Sequence, residues 1–244
     1  MTKIINRFLA VILIFVLVVP FYAEAQDPTQ VNVAKYQKAI KLACIGDSIT
    51  EGFGAAYGMS WPDQIAKMLG AKWKVKNFGV TGTTLLNSGN NPYQKQGAFK
   101  NAKEFNPDVV VIMLGTNDTK PQNWENKDKF ETDYIDMIKQ FAALPSKPSI
   151  FICYPPYIAE NGNYGITEPK TKEEISMVKK VAKIMRVGVI DVHGALKGKD
   201  ALIPDRVHPN TAGATEIAKA VYKVLIGKPV VGTDKTKDNK HLKK

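Results

Sequence analysis

Ser48 is the first residue in the sequence whose type and position suit nucleophilic catalysis. It lies in the segment GDSIT, directly after an apolar run that predicts a strand. A serine at a strand-to-helix turn has its hydroxyl at the carboxyl edge of the sheet, near backbone N–H groups that can bind an anion. Ser48 could therefore be a nucleophile, although a serine at this point could equally be the N-cap of a helix.

A candidate base for this serine lies near the C-terminus, in the segment PDRVHPNTAG. Asp205 precedes His208 by three residues on a predicted turn, so the carboxylate can orient the imidazole and leave its other ring nitrogen to accept a proton. Both residues could instead serve only the turn, the histidine as a cap and the aspartate as a surface acid. Of the other histidines, His241 lies in the C-terminal tail and His193 follows the last predicted strand. His208 is therefore the favoured base.

Two further turns could supply hydrogen-bond donors to an anion. In the segment NFGVTGTT, Gly82 could bring its backbone N–H close to a ligand or simply form a turn. In the segment GTND, Asn117 could donate to a developing oxyanion or satisfy backbone groups of its own turn. The adjoining Asp47 and Asp118 are predicted to be structural acids that accept hydrogen bonds from nearby backbone N–H groups.

The elements that must position these residues begin at residue 40, where short β-type runs start to alternate with longer helical patterns. Strands are predicted at 40–45, 73–77, 108–114, 149–154 and 187–192, and helices at 61–69, 130–144, 172–185 and 211–225. This alternation is typical of a parallel sheet with helices on both faces. The sequence therefore predicts an α/β fold, a three-layer α/β/α sandwich. Long loops at 83–96 and 155–169 follow strand ends, where ligands of open α/β sheets bind.

The four segments, in this order and at these strand ends, resemble the four motif blocks of the SGNH/GDSL hydrolase family. The blocks are GDSIT, the Gly82 turn, GTND and DRVH, and the resemblance covers about residues 41–226. It implies a five-stranded parallel, flavodoxin-like sheet in the order 2-1-3-4-5. It also implies that Ser48 is the nucleophile, His208 the base and Asp205 its orienting acid. The implied oxyanion hole consists of the Ser48 N–H, the Gly82 N–H and the Asn117 side chain, with no metal or cofactor.

The likeness extends to bacterial carbohydrate acetylesterases, including sialate O-acetylesterase-like members, and implies a short-chain, acetyl ester on a small molecule or glycan as the substrate. Aromatic side chains near the active edge could form a platform for a sugar ring, or could simply pack. We predict substrate contacts for Tyr93, Trp124, Tyr154 and Tyr157. Tyr164 is a further candidate, whereas Trp61, which opens a helix, is expected to pack.

Two other functions remain open for a chain with these motifs. The same family contains acyl esterases of the lysophospholipase or thioesterase kind. A protein of a different class, a non-catalytic glycan-binding module on a hydrolase scaffold, would be expected to have lost Ser48, Asn117 or His208. All three residues are present.

The first 25 residues have the pattern of a secretory signal peptide. Lys3 and Arg7 precede an apolar run at 8–19 and the small-residue pattern AEA, so cleavage is predicted after Ala25. The apolar run is shorter than the roughly 20 residues that a membrane-spanning helix needs. We therefore expect a secreted or periplasmic protein without a stable membrane anchor, a retained anchor being the alternative.

A lead-in at 26–39 precedes a single predicted domain at 40–226. The basic tail at 227–244 has too few apolar residues to offset the entropy of ordering and is predicted to be disordered. Of the formal net charge of +11, the leader contributes +1 and the tail from Gly227 contributes +4, and the remaining +6 is spread along the chain in mixed-sign runs such as Glu173-Glu174 and Lys179-Lys180. These runs are typical of a solvated surface, so no nucleic-acid partner is predicted.

The two cysteines could pair in an oxidising compartment. Cys44 and Cys153 each fall in a predicted interior strand, and the strand order that the family resemblance implies places another strand between them. We therefore predict two buried free thiols.

Overall fold

A five-stranded parallel sheet forms the centre of the computed structural model, which describes residues 30–227. The predicted signal peptide and nearly all of the basic tail lie outside the described residues. The strands are β1 (Ile40–Gly46), β2 (Trp73–Gly79), β3 (Val109–Met113), β4 (Ser149–Cys153) and β5 (Gly188–Ile190). Their order is β2-β1-β3-β4-β5, and all four pairings are parallel. The predicted flavodoxin-like sheet is confirmed.

Helices cover both faces of this sheet. They are α1 (Ser48–Glu51), α2 (Trp61–Leu69), α3 (Gly97–Glu104), α4 (Pro121–Trp124), α5 (Phe130–Ala142), α6 (Glu168–Met185), α7 (Val192–Leu196) and α8 (Thr211–Ile226). Apolar residues of α2, α7 and α8 pack on one face, and those of α3, α5 and α6 pack on the other. The predicted three-layer α/β/α sandwich is confirmed.

The central strands are apolar on both sides because both of their faces are covered. Every residue of β3 is buried, and successive residues go to opposite cores. Val109 and Val111 join the core under α8, while Val110 and Ile112 join the core under α5. A continuous run of Val and Ile is therefore what this position in a parallel sheet requires.

The two cysteines lie in the core on the same face of the sheet but on strands that are not neighbours. Cys44 of β1 pairs in register with Val111 of β3, and β3 in turn pairs with β4, which carries Cys153. Both thiols are free and buried, as predicted.

The part of the lead-in that the structure describes packs against the C-terminal helix. Val31 is buried, and its N–H donates to the carbonyl of Leu225 at 2.8 Å. Helix α8 ends at Ile226 and is capped by Gly227, whose φ of 69° is left-handed. Within residues 30–227, no helix is both long and apolar enough to cross a membrane.

The last strand is shorter than its sequence pattern. The apolar run at 187–192 predicts a strand up to Val192, but β5 ends at Ile190 and Val192 begins α7. The cause is Asp191, whose side chain accepts a hydrogen bond from the Gly194 N–H at 2.7 Å and caps the new helix.

Candidate active site

Ser48, His208 and Asp205 form a continuous chain of hydrogen bonds at the carboxyl edge of the sheet. The Oγ of Ser48 lies 3.0 Å from Nε2 of His208, and Nδ1 of His208 lies 2.6 Å from Oδ2 of Asp205. Both distances are within the range needed for a histidine to remove a serine proton while a carboxylate orients the ring. The arrangement is therefore suited to nucleophilic attack by Ser48.

Asp205 is held as a carboxylate by the turn that carries it. Its Oδ1 accepts hydrogen bonds from the N–H groups of Val207 at 3.0 Å and His208 at 2.6 Å. Burial tends to raise the pKa of Asp205, but these bonds and the His208 ring outweigh it and lower the pKa below its usual range. A permanent negative charge next to the imidazole stabilises the imidazolium that proton transfer creates.

Ser48 is positioned by Asp47, which caps the single turn of α1. The Oδ1 of Asp47 accepts from the N–H of Ile49 at 3.0 Å, so Ser48 is the first helical residue and the aspartate is the N-cap. Gly46 lets this turn approach its neighbours, because a Cβ there would collide with the Thr50 side chain and with the carbonyl of Met113. The alternative that Ser48 itself caps the helix is therefore excluded.

Gly82 sits in a tight turn that leaves β2. The N–H of Thr83 donates to the carbonyl of Val80 at 3.3 Å, and Gly82, at the third position of the turn, has a φ of 77°. Turns with a positive φ at this position favour glycine. In the part of the chain that the structure describes, the Gly82 N–H has no protein acceptor. The Ser48 N–H lies in the first turn of α1, where backbone donors lack helical partners.

Asn117 lies nearly buried at the end of β3. Its Nδ2 donates to the carbonyl of Thr83 at 3.1 Å, which uses one of its two hydrogens and links the carboxamide to the Gly82 turn. The backbone carbonyl of Asn117 accepts a hydrogen bond from Nδ2 of Asn123 at 2.9 Å. Nδ2 of Asn117 also lies 3.5 Å from Oδ2 of Asp47. Because this second hydrogen bond is long and therefore weak, an anion beside Ser48 can compete for the donor.

Two buried acids tie the site segments together, as the sequence predicts for them. The first is Asp47, the cap of α1 described above. The second is Asp118, which accepts hydrogen bonds from the N–H groups of Leu85 at 2.9 Å and Leu86 at 2.7 Å and so links the segment after Gly82 to the turn that follows β3. Burial raises the pKa of each acid to about 7, against the lowering effect of the backbone donors.

A third buried acid, Glu174 of α6, lies beneath this site. The sequence predicts a solvated surface for the Glu173-Glu174 pair, and this is wrong for Glu174, which is fully buried. Its carboxyl group lies against Gly115, where a Cβ would collide with it. Within residues 30–227, neither of its oxygens has a hydrogen-bond partner. Burial, followed by the nearby Asp118 and Asp47, raises its pKa well above the usual value.

A pocket of about 190 Å³ opens at these residues. Ser48, Gly82, Asn117 and His208 all line it. The structure thus brings the residues predicted for the nucleophile, the base and the oxyanion donors to one cavity, with Asp205 bonded behind the histidine.

The sequence around these residues matches the model of a known protein family. Residues 44–215, which include Ser48, Gly82, Asn117 and His208, match the model of the GDSL-like lipase/acylhydrolase family. The chain belongs to this family of carboxylic ester hydrolases. The predicted family is therefore confirmed.

Two esterases are similar in sequence to this GDSL-family chain. An acetylxylan esterase from Xylanibacter ruminicola is 39% identical over 215 residues, which cover 79% of the chain and 44% of that protein. A multidomain esterase from Ruminococcus flavefaciens is 24% identical over 120 residues, covering 48% of the chain and 15% of that protein. The chain thus spans less than half the length of either relative.

Solved structures share the fold of this GDSL-family chain. A carbohydrate acetylesterase from Sinorhizobium meliloti superposes with a TM-score of 0.62 at 21% identity, covering 75% of this chain and 96% of that one. An acetyl-xylooligosaccharide esterase from Geobacillus superposes with a TM-score of 0.62 at 22% identity, covering 82% and 99%. At these identities, the likeness supports the fold alone.

The aromatic rings that line the pocket of this GDSL-family chain are those of Phe53 and Tyr164. Their ring centroids lie 4.5 Å and 5.7 Å from that of His208. Tyr164 is one of the candidates raised by its loop position. Sequence reasoning missed Phe53, and the available signal was its place between two glycines directly after the helix that carries Ser48.

Two of the aromatic residues predicted to contact substrate lie in or against the core instead. Tyr93 is fully buried and its hydroxyl donates to the carbonyl of Phe78 at 2.6 Å. Trp124 is nearly buried and its Nε1 donates to Glu173 at 3.2 Å. Neither ring is among the pocket-lining residues, so both are corrected to packing residues. Trp61 is also fully buried, as expected.

The other two predicted contacts, Tyr154 and Tyr157, are half-buried and pack on opposite cores. The ring of Tyr157 lies edge-on to His193 at 5.7 Å, and His193 is held by Glu168 through an Nε2–Oε1 contact of 2.8 Å. None of these residues lines the pocket. Tyr154 and Tyr157 thus lie outside the pocket that contains Ser48, and a substrate contact for either remains a prediction.

Proposed function

We propose that this GDSL-family chain is an exported acetylesterase that removes acetyl groups from carbohydrate by serine catalysis. The observation that carries the proposal is the unbroken hydrogen-bond chain from Ser48 through His208 to Asp205, which opens into a pocket lined by Gly82 and Asn117. The family match and the acetylxylan esterase relative support the same reaction class.

The mechanism follows from the atoms that face one another. Nε2 of His208 takes the Ser48 proton as Oγ attacks the ester carbonyl, and the Asp205 carboxylate stabilises the imidazolium. The N–H groups of Ser48 and Gly82 and the amide of Asn117 bind the tetrahedral oxyanion. The imidazolium then protonates the departing alcohol. Water, deprotonated by the same histidine, hydrolyses the acyl-enzyme and restores the Ser48 hydroxyl.

The size of the pocket favours a small acyl group. Its volume of about 190 Å³ is smaller than the ~300–1,000 Å³ of sites for drug-sized ligands. The wall is mainly apolar, with the rings of Phe53 and Tyr164 and the aliphatic side chains of Ile166 and Val207 beside the polar residues Thr81, Thr116 and Lys120. It is therefore the small volume that limits the acyl group. A long acyl chain would leave most of its apolar surface in water. The proposal therefore favours acetyl esters over the lipid esters of lysophospholipase-type members.

Export is supported by the sequence pattern of the first 25 residues. Protein recovered from the culture medium or the periplasm of a bacterial host is expected to begin at Gln26. A chain recovered with its apolar segment in the membrane fraction would contradict cleavage.

An ester panel tests the proposed chemistry. We expect kcat/KM to be highest for p-nitrophenyl acetate and to fall towards the octanoyl ester, and we expect acetate release from acetylated xylooligosaccharides. The Ser48→Ala variant, checked for its fold by circular dichroism, provides the baseline and should show no turnover. A higher kcat/KM for octanoyl than for acetyl esters would favour the lipid esterase. Binding of the oligosaccharides without any turnover would favour the glycan-binding module.

A further inference from the structure

Two of the exposed aromatic side chains lie at the active-site pocket. Within residues 30–227, the large hydrophobic side chains that remain exposed are Phe53, Tyr57, Tyr164 and Ile184. Phe53 and Tyr164 are 55% and 53% exposed, and both line the cavity that contains Ser48. Apolar rings left half in water beside reacting groups indicate a surface that a ligand covers.

Phe53 is held over His208 by the backbone around it. Its N–H donates to the carbonyl of Ser48 at 2.9 Å, and it lies between Gly52 and Gly54, whose φ angles are 116° and 90°. Gly54 packs so closely that a Cβ there would meet the His208 side chain and the carbonyl of Pro209. The backbone of the loop is therefore packed closely against His208, and it places the Phe53 ring beside the imidazole.

Tyr164 is held at the pocket by a strained turn. Its φ is 53°, a left-handed conformation that a tyrosine rarely adopts. The side chain of Asn163 stabilises it by accepting the Tyr164 N–H at 2.8 Å and donating to the carbonyl of Asp205 at 3.2 Å. The Tyr164 hydroxyl also donates to Oδ2 of Asp205 at 3.4 Å. Backbone strain that the surroundings maintain in this way is typical of functional positions.

The position of both rings relative to His208 identifies the part of the ester that they would contact. During hydrolysis, Nε2 of His208 must protonate the departing alcohol oxygen, so the alcohol lies next to the imidazole. The carbonyl oxygen instead faces the donors at Gly82 and Asn117. Rings that lie within 6 Å of the imidazole are thus placed beside the alcohol.

We propose that Phe53 and Tyr164 form a subsite for the sugar ring whose hydroxyl carries the acetyl group, and that they set the preference for the alcohol part of the ester. The C–H face of a pyranose is apolar and can pack on aromatic rings, while its hydroxyls remain in water. This inference rests on the proposed acetylesterase function and adds which residues select its leaving group.

The test holds the acyl group constant and changes the alcohol. The quantity measured is the ratio of kcat/KM for an acetylated xylooligosaccharide to kcat/KM for ethyl acetate, which has no ring to pack. We expect Phe53→Leu and Tyr164→Leu each to lower this ratio at least fivefold. Tyr164→Phe retains the ring and should leave the ratio within twofold of wild type, which separates packing from the hydrogen bond to Asp205.

Tyr57→Ala is the matched control. Tyr57 lies in the same loop as Phe53 and is fully exposed, but it is not among the residues that line the active-site pocket. Tyr57→Ala should leave kcat/KM unchanged for both the acetylated xylooligosaccharide and ethyl acetate. Circular dichroism spectra and melting temperatures of all variants establish that the proteins compared are folded.

The outcomes separate this inference from the proposed function. Wild-type protein that hydrolyses neither the acetylated xylooligosaccharide nor ethyl acetate would overturn the proposed function, and the subsite with it. Wild-type protein that prefers the oligosaccharide, with the same preference in the two leucine variants, would leave the function standing and overturn the subsite. Variants that alter the preference for ethyl acetate over ethyl butyrate, but not the alcohol ratio, would place the rings at the acyl group and also overturn it.

Discussion

The two histidines that the structure describes are each bonded to a carboxylate, yet only one can reach Ser48. His208 lines the pocket and bonds to Asp205, whereas His193 is buried against Tyr157 and bonds to Glu168. A histidine paired with an acid is therefore not by itself a sign of a catalytic base. The deciding feature is the second ring nitrogen, which in His208 faces the Ser48 hydroxyl at 3.0 Å.

Matched glutamine substitutions test which histidine is the base. His208→Gln should lower kcat for p-nitrophenyl acetate by about a thousandfold or more, because no group remains to take the serine proton. His193→Gln retains a hydrogen-bond donor towards Glu168 and should keep most of the activity. An inactive His193 variant beside an active His208 variant would require another base, sought at the end of β5.

Asn117 can be tested through the kinetic constant that it affects. Because an oxyanion donor acts on charge that exists only in the transition state, Asn117→Ala should lower kcat by roughly a hundredfold with little change in KM. Asn101→Ala, on the exposed side of α3, is the control and should match wild type. A change confined to KM would show that Asn117 binds the ground-state ester instead.

The residues that sequence could identify at this scale are those whose role depends on a local motif. The Ser48 and Asn117 segments directly follow strand ends and the His208 segment directly precedes α8, so the meeting of these motifs at one edge of the sheet could be predicted from the family pattern. Of the two rings at the pocket, Tyr164 was a candidate from its loop position but Phe53 was not. Tyr93 and Phe53 both follow glycine-containing turns, and only tertiary packing decides which ring is buried. The burial of Glu174 could not be predicted either, because most residues next to it in α6 are charged and indicate an exposed face.

At the scale of elements, the central strands were predictable and the short helices were not. A continuous apolar run such as β3 has few alternatives in an α/β fold. Helix α3, with the sequence GAFKNAKE, buries only Phe99 and Ala102 and lacks a side-chain cap, so it gave no helical signal. Helix α6 begins at Glu168, four residues before its predicted start, because Pro169 is well suited to the first turn of a helix.

The turn after β3 is the element whose geometry the site depends on most directly. Gly115 has a φ of 124°, and a Cβ there would collide with the Glu174 carboxyl group. Gly115→Ala should therefore combine backbone strain with a steric clash, lowering the free energy of unfolding by more than the ~1–2 kcal/mol of strain alone. It should also lower kcat, because Asn117 lies two residues further on.

Gly58→Ala provides the comparison for this turn. Gly58 also has a positive φ, 68°, but no atom lies within 4 Å of an added Cβ, so Gly58→Ala should introduce only the backbone strain. Urea denaturation gives both free energies, and kcat on p-nitrophenyl acetate gives the effect on the site. Equal destabilisation by the two substitutions, with kcat unchanged in Gly115→Ala, would show that the contact with Glu174 does not position the turn.

Across the whole molecule, three carboxyl groups are buried together behind the site. Asp47, Asp118 and Glu174 are each within electrostatic reach of the others, and burial raises the pKa of all three. Tyr134 of α5 faces the same cluster and is also buried. No cation is bonded to Glu174 within residues 30–227, so the folded protein keeps this group protonated at pH values where the unfolded chain releases the proton.

This difference in proton binding makes stability depend on pH in a direction that can be tested. Above the ordinary pKa of a glutamate, the folded state binds one proton more at Glu174 than the unfolded state, so the free energy of unfolding falls as pH rises. Glutamine cannot titrate. The stability of Glu174→Gln relative to wild type should therefore increase between pH 5 and 7 by up to about 1.4 kcal/mol per pH unit, measured by urea denaturation at each pH.

Glu173→Gln is the control. Glu173 is the exposed neighbour of Glu174, and its hydrogen bond from Lys127 lowers its pKa. Because Glu173 is ionised in both the folded and the unfolded state between pH 5 and 7, the stability of Glu173→Gln relative to wild type should not change with pH in this window. A flat difference for Glu174→Gln as well would mean that Glu174 is ionised in the folded protein.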